Sequence, residues 1–219
     1  MSAIINLIKE KKDKKNKSTP VYPRNVGWVV KKLSEDNLDL LWSCVDAKPN
    51  SPRTFRKSNK KRGNSSYKIK QYDLEDCQNK IWNSIVEPLV KDYQHHYKKD
   101  KSDGDLHLRQ FWVNYQKQTD YVPLHSHKGI YSFVIWLKIP TNYEDQKKLP
   151  IARVSNSSAI SNFVFTYTDI LGEVRSMTYE MSSKVEGTMV LFPSGLNHQV
   201  YPFYNCDKSR ISISGNVDY

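Results

Sequence analysis

Cysteine is scarce in this chain. Its three residues, Cys44, Cys77 and Cys206, are widely spaced and form no C-x-x-C pair. That argues against a cysteine-built zinc site or a disulfide framework, and a reducing compartment is the simplest setting. Long apolar runs are missing too, and none approaches the ~20 residues of a membrane-spanning helix. The opening MSAIINLIKEKKDKK does not read as a secretory signal, because its charge follows the short apolar piece and no small-residue cleavage site comes after it. A cytoplasmic protein without membrane association is the expectation. Only 8 Gly and 10 Pro in 219 residues argue against a low-complexity chain. No Ser/His/Asp or paired-carboxylate arrangement stands out.

Acidic residues are outnumbered, 23 against 34 Lys plus Arg, for a net charge of +11. The excess is local. Lys9, Lys11, Lys12, Lys14, Lys15 and Lys17 form one cluster, and Arg53, Arg56, Lys57, Lys60, Lys61 and Arg62 form a second with no acid among them. Such clusters favour polyanions, so a nucleic acid or an acidic protein is an expected partner; a solvated tail and loop are the plainer alternative. Residues 1–20 read as a basic, mobile arm. Residues 21–219 read as a single domain, with a helical support over 21–105 and a strand-rich core over 106–219.

The first half offers one short strand, VGWVVKKL (26–33), and two amphipathic helices. Ser34 is a good N-cap for the first, whose Glu35 and Asp36 suit the positive end of a helix. Leu38, Leu41, Trp42 and Val45 give it one apolar face. Asp73 is the expected cap of the second, DLEDCQNKIWNSIVEPLVKDYQHHY, with a kink at Pro88. Each helix has one greasy side, so both should pack on a sheet. Glu87, His95 and His96 read as surface residues, and His107 as structural.

From Gly104 the pattern turns to strands. HLRQFWVNYQ puts Trp112 and Asn114 on one face. SFVIWLKIP is nearly all apolar, as in a strand covered on both sides. NFVFTYTD and EVRSMTYEM flank Leu171-Gly172 as a hairpin. GTMVLFPSG, NHQVYPFY and SRISISGNV follow, and in the last Arg210, Ser212 and Ser214 share one face. Residues 141–156 make a long polar connection of the kind that often serves as a lid.

One stretch organises the rest: PLHSHKGIYSFVIW, 123–136. In a strand, His125 and His127 would share a face with Cα atoms ~6.6 Å apart. Two imidazoles at that spacing can converge on one metal ion. Two histidines facing water would look the same. His198, after the Pro193-Ser194-Gly195 turn, supplies a third imidazole, and Arg210 with Ser212 follows. A guanidinium beside three imidazoles suggests more than a metal, since Arg grips carboxylates bidentately and always carries its charge.

The order of H-x-(acid), distal His and Arg-x-Ser on short strands resembles the iron(II)/2-oxoglutarate-dependent dioxygenases, in particular the small prolyl-4-hydroxylase-like and phage-type oxygenases. The resemblance covers roughly residues 108–217. It implies a mostly β chain with flanking helices: a double-stranded β-helix (jelly-roll, cupin-like) with the N-terminal helices packed on one sheet. It also implies iron(II), 2-oxoglutarate as co-substrate, dioxygen, and release of succinate and CO2 on hydroxylation of a substrate. By that match His125 and His198 are metal ligands, and Arg210 with Ser212 holds the far carboxylate of 2-oxoglutarate. Trp136 falls where that family lines the co-substrate pocket, or is a plain core tryptophan.

The chain departs from the family's two-histidine, one-carboxylate pattern, for His127 stands where the acid is usual. One reading is a three-histidine site. It is favoured by Asn114, eleven residues before His125, a spacing resembling the co-substrate-binding Asn of related nucleic-acid demethylases. The other makes His127 the first ligand and puts Gly129 in the acid's place, as in the related halogenases. Asp120 is a further candidate carboxylate. Two other functions stay open: a three-histidine cupin-type enzyme that does not use 2-oxoglutarate, and a non-catalytic polyanion-binding module.

Overall fold

A computed structural model describes residues 26–49, 69–97 and 104–219. Both basic clusters, at 9–17 and 53–62, lie outside the described residues. The chain begins with β1 (Val29–Lys32), shorter than the 26–33 expected, and α1 (Glu35–Asp46). Ser34 caps α1 through its side chain, which accepts from the Asn37 N–H. β2 (Lys70–Asp73) follows.

Asp73 does not cap the second helix; it ends β2. Asp76 does that work, because its two carboxylate oxygens accept from the Ile81 and Trp82 N–H groups at 2.7 and 2.9 Å. A short 3-10 turn, Cys77–Asn79, intervenes, with Gln78 and Asn79 at positive φ. The kink expected at Pro88 takes a specific form. The turn before it, Trp82–Val86, widens into a π-turn closed by Glu87 N–H on the Trp82 carbonyl, and α2 (Glu87–His96) continues from there. Proline has no N–H to give to the helix ladder, which makes this a natural place for the change of pitch.

The second half supplies β3 (His107–Gln116), β4 (Val122–His125) and β5 (Tyr131–Lys138). Two short helices, α3 (Tyr143–Gln146) and α4 (Pro150–Arg153), fill the polar connection. They are tied down: the Tyr143 hydroxyl donates to the Ser158 carbonyl, and the Gln146 amide bonds both backbone groups of Tyr204. Then come β6 (Phe163–Thr168), β7 (Val174–Tyr179), β8 (Thr188–Pro193), β9 (Asn197–Val200) and β10 (Arg210–Asp218).

These strands form two antiparallel sheets, a larger one ordered β1-β8-β5-β10-β3-β2 and a smaller one ordered β4-β9-β6-β7. The period-2 alternation of β5, with its two faces on two cores, explains why it is nearly all apolar. Tyr131, Phe133, Ile135 and Leu137 join the core under the helices, with Leu41, Val45, Ile81, Ile85, Leu89 and Tyr93. Val134 and Trp136 join a second core with Phe163, Phe165, Met181 and Phe192. Each helical side chain so buried contributes about 2 kcal/mol before entropy is counted. Gly215 is required by close approach: a Cβ there would fall 2.4 Å from the ring of Phe133, its β5 partner.

Candidate metal centre and co-substrate pocket

The smaller sheet carries the histidines. His125 ends β4 and faces His198 of β9 in the ladder, while Val122 faces Val200. Three steps on β4 therefore match two on β9, which is a β-bulge. Without it Val122 and His125, an odd number apart, would point to opposite faces. With it, both line the cavity, as do His198 and Val200. His127 lies beyond the end of β4, so the H-x-H pair is not the simple same-face strand pair of the sequence pattern. Its place is set by its own N–H, which donates to the Ser194 carbonyl at 2.8 Å.

The three imidazoles meet. Their ligand nitrogens lie within 4.8 Å of one another. Ring centroids are 5.0 Å apart for His125 and His127, 4.3 Å for His125 and His198, and 5.2 Å for His127 and His198. Nδ1 of His125 lies 2.7 Å from the Pro123 carbonyl, and Nδ1 of His198 lies 2.9 Å from that of Leu196. A carbonyl only accepts, so both Nδ1 atoms carry the hydrogen and both Nε2 lone pairs are free for a metal. Burial, and then the His125 charge, lowers the His127 pKa to about 4. Burial lowers that of His198 to about 3, against a smaller opposing pull from the Leu196 carbonyl. Both are neutral near pH 7.

No carboxylate joins this cluster among the described residues. Asp120 is committed elsewhere, its carboxylate accepting from the Lys117 N–H at 2.8 Å. Gly129 has φ +109°, and a Cβ there would meet the Val217 carbonyl and the Ser194 hydroxyl. An acid in that place would press on β10, whereas His127 already stands with the other two imidazoles.

The larger sheet forms the opposite wall. Arg210, Ser212 and Ser214 from β10 and Trp112, Asn114 and Gln116 from β3 line the same cavity. They are paired across the ladder, Arg210 with Gln116, Ser212 with Asn114 and Ser214 with Trp112. Arg210 is 3% exposed. Its Nη2 donates to the Ser161 carbonyl at 2.7 Å, its Nη1 to Gln116 Oε1 at 3.3 Å, and the guanidinium lies 5.0 Å from the Phe203 ring centroid. Nε is buried without a partner, and no acidic side chain among the described residues pairs with this cation. Burial lowers its pKa to about 9, so it is charged at neutral pH.

Asn114 sits at the centre of a cross-strand network. Its oxygen accepts from Gln71 Nε2 at 2.7 Å and Trp112 Nε1 at 3.0 Å. Its nitrogen donates to the Ser212 carbonyl and hydroxyl and to the Ser214 hydroxyl. Trp136 is buried in the second core against Tyr179 and Phe163, and it also lines the cavity. His107, His95 and His96 are exposed and take no part. Sequence reasoning missed Gln116, Phe203 and Ser161. A register count of β3 against β10 could have found Gln116; the other two sit on loops with no pattern.

The arrangement suits a divalent first-row metal, which imidazole nitrogens bind well. A buried guanidinium with an unpartnered N–H and no acidic partner suits a carboxylate from outside the chain. Residues 110–216 match the family model described as "Putative 2OG-Fe(II) oxygenase". No curated protein matches the chain. Among solved structures, an oxidoreductase of the 2OG-Fe(II) oxygenase family from Burkholderia pseudomallei is similar, with TM-score 0.56, 12% identity, and 88% of this chain and 85% of that one covered. A Pseudomonas putida prolyl-4-hydroxylase has TM-score 0.51, 15% identity, and coverage of 87% and 91%. SnoK, a non-heme alpha ketoglutarate dependent carbocyclase from nogalamycin biosynthesis, has TM-score 0.51, 7% identity, and coverage of 88% and 79%. At such identities the likeness is one of fold, the double-stranded β-helix.

Proposed function

We propose that this chain, whose residues 110–216 match the family model of the 2OG-Fe(II) oxygenases, is an oxygenase with His125, His127 and His198 as iron ligands and Arg210 as the anchor of 2-oxoglutarate. The family implies iron(II), 2-oxoglutarate and dioxygen. When bound, the iron couples dioxygen reduction to decarboxylation of 2-oxoglutarate, giving succinate, CO2 and an oxidised substrate. One observation carries the reading. Three imidazoles and a buried guanidinium with no acidic partner among the described residues open on one cavity from opposite sheets.

The chain's own part is geometry and charge. Nδ1–H bonds to Pro123 and Leu196 hold two imidazoles with Nε2 turned to the metal. Arg210 would take the far carboxylate through its unsatisfied N–H groups, with Ser212 as a hydroxyl beside it. Asn114 would hold Ser212 and Ser214 in place, and Trp136 would wall off water. With three neutral ligands the metal keeps its full charge, so the dianionic co-substrate supplies the compensation a carboxylate ligand usually provides. No side chain is asked to move a proton.

We assign hydroxylation of a C–H bond as the reaction, by likeness to the prolyl-4-hydroxylase fold. That no carboxylate joins the cluster among the described residues favours, as a second reading, a three-histidine enzyme that does not use 2-oxoglutarate. Arg210 weighs against it, because that enzyme would leave a buried cation uncompensated. Iron-dependent succinate release from 2-oxoglutarate separates the two. For the substrate, the basic residues 53–62 support a polyanion-borne group. Its binding should fall steeply with salt, and a salt-independent affinity would dismiss that idea.

A further inference from the structure

Gln116 is the residue Arg210 leans on. The two are ladder partners on β3 and β10, 4% and 3% exposed. The Gln116 amide has one permitted orientation. Its Nε2 donates to the Asp120 carbonyl at 2.7 Å, so its Oε1 must face Arg210 Nη1. Flipped, it would set donor against donor at one end and acceptor against acceptor at the other. Asp120 is itself fixed by its bond from the Lys117 N–H. A short turn therefore anchors Gln116, and Gln116 anchors the guanidinium. Every partner the structure gives Arg210 is neutral: the Gln116 amide, the Ser161 carbonyl and the Phe203 ring. Together they hold the group in place without spending its charge. A carboxylate at 116 would close a buried ion pair and spend it.

We infer that Gln116 is a positioning residue that aims Arg210 while leaving its charge free, and so sets the preference for a dicarboxylic over a monocarboxylic 2-oxo acid. This rests on the reading that Arg210 receives the far carboxylate.

The test uses the full chain loaded with iron(II) under anaerobic conditions. Binding of 2-oxoglutarate is compared with binding of 2-oxopentanoate, which carries a methyl in place of the far carboxylate. Wild type should prefer the dicarboxylate by at least about tenfold. Gln116→Glu should weaken 2-oxoglutarate by at least about tenfold and leave 2-oxopentanoate within about twofold. Iron affinity should not change. Gln116→Met keeps the cation but loses the aim, and the preference should fall by about threefold. A Glu variant with the wild-type preference overturns the inference. So does one in which both ligands weaken together, since that is damage to the fold. Should the Glu variant not fold, the ratio in the Met variant decides, and an unchanged ratio overturns it. If wild type binds iron but not 2-oxoglutarate, the parent reading of Arg210 fails, and this inference with it.

Discussion

His125 and His198 face each other across the β4–β9 ladder with ring centroids 4.3 Å apart, and each gives its Nδ1 hydrogen to the carbonyl two residues before it. Two strands thus use the same local device to turn Nε2 toward a common point. The β-bulge between Val122 and His125 keeps both of those β4 residues on the cavity face.

Metal affinity should depend on all three histidines. His125→Ala and His198→Ala should each lower iron(II) or cobalt(II) affinity by more than about 100-fold, since two donors remain and one position opens to water. His127→Asp should retain the metal, because a carboxylate is the usual third ligand there, whereas His127→Ala should lose it. Equilibrium dialysis with metal analysis checks the series.

Arg210→Met should leave metal binding intact and weaken 2-oxoglutarate by about 100-fold or more, as for loss of a buried charged partner. Arg210→Lys should restore little, because a point charge cannot reproduce the planar fork set over Phe203. Calorimetry on the iron-loaded chain reads both.

Acid should destabilise the metal-free protein through the buried imidazoles. The His198 and His127 pKa values are lowered from 6.5 to about 3 and about 4 by burial. Below pH 6.5 the unfolded chain takes up protons that the folded chain refuses. This stability is complete above pH 6.5 and is lost as pH falls through 4 toward 3. The loss from His198, which is 4% exposed, is about 2–4 kcal/mol. Melting temperature against pH should show it, and His198→Gln should flatten the acid limb.

Gly215→Ala should destabilise the fold by about 1–3 kcal/mol or more, because the new methyl meets the Phe133 ring at 2.4 Å. The strain falls on β10 between Arg210 and the helix-side core, so 2-oxoglutarate affinity should drop with stability. Chemical denaturation alongside the binding assay measures both, and Phe133→Leu in the same chain should relieve part of the cost.

The periodic elements were legible in the sequence, and the irregular ones were not. α1 with its Ser34 cap, the hairpin around Leu171-Gly172, and β10 with Arg210 and Ser212 on one face follow from apolar spacing and turn chemistry. Asp76 displaced Asp73 as the helix cap because the intervening turn places Gln78 and Asn79 at positive φ, a choice no propensity signals. The bulge before His125, the position of His127 beyond the strand end and the support of Arg210 by Ser161 and Phe203 are non-local. They depend on what another strand or loop supplies at that point, and only the folded chain brings the two together.

The most direct measurement is the anaerobic absorption spectrum of the chain with iron(II), before and after 2-oxoglutarate. The account predicts a visible charge-transfer band that appears only with both present, vanishes in His198→Ala, and decays on admission of oxygen as succinate forms. Iron bound tightly, with no new band and no succinate, would contradict it.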